Sequence, residues 1–193
     1  AGCRARHLLR NPRGLELYLI RHPRPAVEPG ICYGQTDLGL AEPVDAVAAR
    51  LRPLLPESFA LYASPLRRAR LLAEALGTPQ LDPRLKEIHF GDWEGRSFDD
   101  IGQAALDAWA AAPLDFAPPG GESPRQMSAR AHAFLADLCA APSVPAAVVV
   151  AHGGPLRALA GKLLGLPPER WLGLDFACGE ATRIDLHHWG TVL

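Results

Sequence analysis

No apolar run in the 193-residue chain reaches the roughly 20 residues that a helix needs to cross a membrane, so no membrane partner is expected. An excess of charge is missing too: 20 Lys and Arg face 21 Asp and Glu. No global field therefore draws the chain to nucleic acid or anionic lipid, and any anion site must be local. Cysteine is sparse and scattered. Cys3, Cys32, Cys139 and Cys178 show no C-x-x-C spacing, which favours free thiols in a reducing, cytoplasmic setting over a disulfide frame or a zinc site. His7, His89, His132, His187 and His188 likewise lack ligand spacing and read as structural or exposed, so neither metal nor cofactor is expected. Internal repeats and low-complexity tracts are absent, and nothing in the residues decides the oligomeric state, a dimer included.

What is present is an ordinary globular composition, 48% hydrophobic and 21% charged, with length for one compact domain. Residues 1–14, "AGCRARHLLRNPRG", are arginine-rich without the apolar stretch of a secretory signal and read as a flexible leader. Residues 15–193 read as a single domain. Three short apolar runs, "ELYLI" from Glu16, "FALYA" from Phe59 and "AAVVVA" from Ala146, each precede small or polar residues and then a helical pattern. That βα rhythm predicts an α/β fold, a three-layer α/β/α sandwich around a mostly parallel sheet.

From Pro43 the apolar positions Val44, Val47, Ala48, Leu51, Leu54 and Leu55 have amphipathic-helix spacing. A second helix is expected with Ser64 as N-cap and Pro65 at its first position, ended by Gly77 and Pro79. A third opens at "SPRQ", where Ser123 and Gln126 have capping-box spacing. Residues 92–122 read as a lid or insertion, with Trp93, Trp109 and Phe116 more core than substrate platform. "EATRIDLHHW" alternates enough to be a further strand, at an edge.

Open α/β sheets bind ligands at the carboxyl ends of their strands. Here those ends deliver Arg21, His22, Ser64 and His152, and "HGGPLRAL" adds a glycine-rich helix N-terminus suited to phosphate. Arg68 shares a face with Leu71, Leu72, Ala75 and Leu76, whereas Arg67 lies near Arg70 and Glu74 on the solvated side. A buried arginine needs an anionic partner, which favours Arg68. Arg70 and Glu74 look like an exposed i, i+4 pair worth about 0.3–0.5 kcal/mol, and Arg157 reads as a solvated helix arginine in preference to a site residue.

"LYLIRHP", "YGQTD", "SPLRRARLLAEAL", "LKEIHFGDWEG", "PPGGES" and "VVVAHGGPLRAL", in this order from Leu15 onward, resemble the histidine phosphatase superfamily, also called phosphoglycerate mutase-like. The resemblance implies that His22 is a nucleophile that becomes phosphorylated, with Arg21, Arg68 and His152 forming the phosphate pocket beside Gly153. It implies Glu87 as proton donor, with Glu94 and Glu122 as alternatives in the same region. Gly34, Gln35 and Thr36 would lie where the family's first loop touches substrate. "GDWEG" is similar to the phosphatase branch, and "RHPRP…GICYGQTD" to members acting on alpha-ribazole phosphate in cobalamin synthesis.

The chemistry fits those roles. A phosphomonoester dianion calls for fixed positive charge, and Arg supplies it in a planar fork. A neutral His22 can attack, and flanking arginines disfavour its protonation. A protonated carboxyl can serve the leaving oxygen and then activate water. With His152 counted as a cation, three positive side chains offset the phosphate without metal. The expected function is a metal-independent phosphomonoesterase acting on a small phosphorylated metabolite; a phosphoglycerate mutase and a catalytically silent phosphate-binding module are the alternatives. The chain departs from the family pattern at Pro23, Arg24 and Pro25. There the proline removes an N–H donor, and Arg24 either meets a second anionic group or points to water.

Overall fold

The computed structural model describes residues 15–140 and 144–185. The leader, Cys3, His7, His187 and His188 lie outside the described residues. Five strands, β1 (Glu16–Arg21), β2 (Ala60–Ala63), β3 (Gln80–Leu81), β4 (Ala146–Ala151) and β5 (Ala181–Asp185), form one sheet in the order β3-β2-β4-β1-β5. All neighbours are parallel except β5, which runs antiparallel to β1 at the edge.

The apolar runs are continuous because both faces of the central strands are covered. Leu17, Leu19, Ala147, Val149 and Ala151 pack beneath α5 (Pro124–Ala140) and α6 (Gly153–Leu163). Tyr18, Ile20, Val148 and Val150 face α1 (Val44–Leu51) and α2 (Arg67–Leu76). This is the expected three-layer, mostly parallel α/β architecture. A satellite cluster of Cys32, Trp93 and Ile101 collects Trp109 and Phe116 between α3 (Phe98–Ile101) and α4 (Gln103–Ala111). The aromatic set is thus packed as core.

Two local expectations are corrected. The Ser64 helix begins at Arg67, with Leu66 in extended geometry as its cap residue, and Asp37 Oδ1 accepts the Arg67 N–H at 2.6 Å. Ser64 Oγ instead accepts the Leu66 N–H, one residue ahead of the helix, and meets His152 Nε2. Leu54 lies in a 3₁₀ turn after α1 and is 61% exposed, so it leaves the apolar stripe, whereas Leu55 still packs against the core. The short strand β3 carries no sequence signal, being two exposed residues. The Ser123–Gln126 capping box forms as expected, with Ser123 N–H donating to Gln126 Oε1 and Gln126 N–H to Ser123 Oγ.

Candidate functional site

Strand register brings the site together. Arg21 of β1 pairs with Ala151 of β4, and Ala63 of β2 with Val150. The next residues, His22, His152 and Ser64, therefore emerge side by side at one rim. The His22 N–H donates to Ala151 O and the Ser64 N–H to Val150 O, both at 3.0 Å, which extends each ladder by one bond.

His22 is 1% exposed. Its Nδ1 lies 2.6 Å from Pro23 O, and its Nε2 lies 3.3 Å from Arg68 Nε. A carbonyl can only accept and a guanidinium N–H can only donate, so the pair of contacts defines one tautomer, protonated on Nδ1, with the Nε2 lone pair accepting the Arg68 Nε–H. Burial pushes the ring's pKa down to about 3; the Pro23 bond opposes this and the charges of Arg68 and Arg21 add to it. Pro23 thus supplies the carbonyl that sets the tautomer.

Arg68 is fully buried, as its place on the helix stripe implied. No carboxylate receives its hydrogen bonds: Nη1 donates to Thr36 O at 2.9 Å, Nη2 to Gly34 O at 2.6 Å and Nε to His22 Nε2. Three of five N–H bonds are so used, and the remaining two are available to an anion. Gly34 is also buried against Ile88 O, where any Cβ would collide.

His152 is completely buried, its ring centroid 5.0 Å from that of His22. Burial, with Arg68 and His22 adding to it, holds its pKa well below the ordinary histidine value. The expectation of a protonated His152 is therefore corrected: it is neutral in the free site. Ser64 Oγ accepts the Leu66 N–H at 3.3 Å and lies 2.8 Å from His152 Nε2, so its hydroxyl proton can fill that nitrogen and leave the imidazole proton on Nδ1. His152 Nδ1 and Arg21 Nε are buried polar atoms without a partner among the described residues. Arg21 is otherwise tied by Nη1 to Phe176 O at 2.9 Å.

Arg157 is half-buried, not solvated. Its Nε donates to Leu174 O at 2.8 Å, and an added Cβ on Gly153 would lie 2.8 Å from Arg157 Nη1 and 3.6 Å from Arg21 Cζ. Two guanidinium groups therefore pack on one glycine.

Glu87 sits at the N-terminus of α6. Its Oε2 accepts the Gly154 N–H at 3.3 Å and its Oε1 the Ile88 N–H at 2.9 Å. A Cβ on Gly154 would collide with this carboxylate. The helix start thus holds a protein carboxylate, and Pro155 offers no N–H.

The two alternative carboxylates are committed elsewhere. Glu94 accepts the N–H groups of Gln35 at 2.8 Å, Thr36 at 2.6 Å and Phe90 at 3.0 Å, together with the Thr36 hydroxyl. Burial pushes its pKa up, but these hydrogen bonds outweigh it and hold the carboxyl below its ordinary value. Glu122 accepts the His89 N–H at 3.0 Å and pairs with Arg130. The Gln35 side chain donates to Glu87 O at 3.1 Å. Gln35 and Thr36 are therefore engaged within the protein, next to the Arg68 carbonyl partners. Arg130 carries no sequence signal because, besides Glu122, it donates to the backbone carbonyls of Arg84, Lys86 and Glu87, which leave no pattern in the residues.

The Arg24 side chain is exposed, while its N–H donates to Glu42 Oε1 at 3.0 Å. Among the described residues no cluster of three or more His, Cys, Asp or Glu is arranged to hold a metal ion, and no helix is long and apolar enough to cross a membrane.

Residues 17–193 match the profile of the histidine phosphatase superfamily (branch 1). The chain belongs to that superfamily. It is 35% identical over 202 residues to a glucosyl-3-phosphoglycerate phosphatase of Mycobacterium tuberculosis, covering 92% of this chain and 87% of the relative. It is 29% identical over 189 residues to the adenosylcobalamin/alpha-ribazole phosphatase of Salmonella typhimurium, covering 87% and 94%. Among solved structures, the alpha-ribazole phosphatase from Shigella flexneri superposes with a TM-score of 0.81 at 29% identity, covering 90% of this chain and 91% of that one. This histidine phosphatase is thus an enzyme of the phosphoric monoester hydrolase class with the phosphoglycerate mutase-like fold.

Proposed function

We propose that the protein is a metal-independent phosphomonoesterase that hydrolyses a small phosphorylated metabolite through a phosphohistidine at His22. The observation that carries this reading is the fixed tautomer of His22, a neutral ring whose Nε2 lone pair faces the guanidinium of Arg68. Arg21 and Arg68 bind the nonbridging oxygens with charge that cannot be titrated away. Neutral His152 adds an Nδ1–H donor, with Gly153 at its side.

Nε2 attacks phosphorus in line, the P–O ester bond breaks, and the leaving oxygen takes its proton from Glu87. The phosphorylated ring keeps its Nδ1–H, and Pro23 O stabilises the positive charge that develops there. Glu87, now a carboxylate, takes a proton from water; the hydroxide bonds to phosphorus, the P–N bond breaks, and neutral His22 and phosphoric acid's anion remain. Gly34, Gln35 and Thr36 form the wall beside this centre.

The two relatives compared above act by name on different esters, and alpha-ribazole phosphate stands beside glucosyl-3-phosphoglycerate as a candidate substrate. The absence of Lys and Arg between Ser97 and Ala117 argues against a mutase, which must hold a second phosphate. The test is a phosphomonoester panel containing both esters, 3-phosphoglycerate and 4-nitrophenyl phosphate, assayed with chelator present. Hydrolysis is expected, with a loss of at least about 10³-fold in His22→Ala. Retained hydrolysis in that variant, or loss with chelator alone, overturns the mechanism; no hydrolysis of any ester identifies a silent module, and phosphate migration within phosphoglycerate a mutase.

A further inference from the structure

Arg130 gathers the backbone that carries Glu87. Its Nη1 donates to Arg84 O at 2.7 Å and to Lys86 O at 2.6 Å, and its Nη2 donates to Glu87 O at 2.9 Å. Nε and Nη2 both meet the carboxylate of Glu122, which in turn accepts the His89 N–H. One side chain from the middle of α5 so fixes the chain just before and at Glu87, and its counter-ion fixes the chain just after. Arg130 and Glu122 are each about four-fifths buried, with side-chain exposures of 20% and 18%. At that depth a guanidinium that lost its carboxylate would leave an uncompensated charge, so the fork stays where it is.

The same carbonyl of Glu87 also accepts from Gln35, whose own N–H is held by Glu94, and Glu94 holds Thr36, whose carbonyl receives Arg68. An unbroken series of hydrogen bonds thus runs from Arg130 to the guanidinium that faces His22.

We infer that Arg130, locked by Glu122, is the positioning residue for the proton donor: it sets the reach of the Glu87 carboxyl toward the leaving oxygen without touching substrate. This rests on the reading of Glu87 as general acid. Proton donation requires hydrogen-bond reach, and a misplacement of about 1 Å can cost about 10²-fold. The effect should scale with the need for a proton, which separates positioning from plain destabilisation.

The test measures kcat/KM, which reports phosphoryl transfer to His22, for 4-nitrophenyl, phenyl and 4-methoxyphenyl phosphate. Wild type, Glu87→Gln, Arg130→Ala and Glu122→Gln are compared. Both Glu87→Gln and Arg130→Ala are expected to lower the 4-methoxyphenyl ester by about 10²-fold more than the 4-nitrophenyl ester. Glu122→Gln should show the same steepening more weakly, and it carries the test if Arg130→Ala does not fold. A uniform loss on all three esters in the Arg130 and Glu122 variants, or no loss, overturns the inference while a steepened Glu87→Gln leaves the acid reading intact. A flat response in Glu87→Gln overturns both.

Discussion

His22 is held by the sheet, whereas Glu87 is held by side chains that reach across the chain. On the first side, adjacent parallel strands end level, and the His22 N–H and Nδ1–H, donating to Ala151 O and Pro23 O, fix both the place and the protonation of the ring. On the second, no strand is involved: Gly154 and Ile88 N–H groups hold the carboxylate, and Arg130, Glu122 and Gln35 hold the loop behind it. In the proposed mechanism, phosphate binding is thus built into the most buried part of the fold, and proton transfer into a side-chain network at its margin. The first arrangement gives rigidity through burial; the second rests on side-chain hydrogen bonds to a loop.

Substitutions on the two sides should therefore fail in different ways. Arg68→Lys is expected to have the larger effect, lowering kcat/KM by about 10²- to 10³-fold for every ester alike. An ammonium cannot reproduce the planar fork, and the Gly34 or Thr36 carbonyl would lose its donor at a stability cost of about 1–3 kcal/mol, readable in chemical denaturation. An Arg68→Lys variant with near-normal activity would break the comparison. Gly154→Ala is expected to act more mildly, because its new Cβ meets the flexible end of Glu87. Activity on poor leaving groups should fall by about 10-fold with 4-nitrophenyl phosphate little changed and the thermal midpoint nearly constant. A large loss of stability there would show that the Glu87 side is as tightly packed as the His22 side.

The same division explains what could be read in the residues. Apolar runs ending in Arg21, His22, Ser64 and His152 are visible because strands and their ends have a period and a terminus, and Arg68 is visible because it interrupts a buried helical stripe. The cap of α2 is not legible locally, because Ser64 reaches only the Leu66 N–H ahead of the helix and the acceptor at Arg67, Asp37, comes from a distant loop. The place of Arg157 is not legible, because helical spacing does not reveal the Leu174 carbonyl that folds over it. The protonation of His152 was misjudged because charge counting omits the cost of burial. Glu94 and Glu122 could not be separated from Glu87 by position alone; their hydrogen-bond partners distinguish the three.

The central claim is that His22 carries the phosphoryl group, and it is tested most directly by rapid alkaline quench of the enzyme during turnover of 4-nitrophenyl phosphate, followed by peptide mass spectrometry. One phosphoryl group is expected on the peptide containing His22, stable to base and lost in acid, absent from His22→Ala. It should form at pH 5 as well as at pH 7.5, because burial keeps the ring neutral down to about 3. A phosphoryl group on another residue, or rapid turnover with His22 never labelled, would contradict the account.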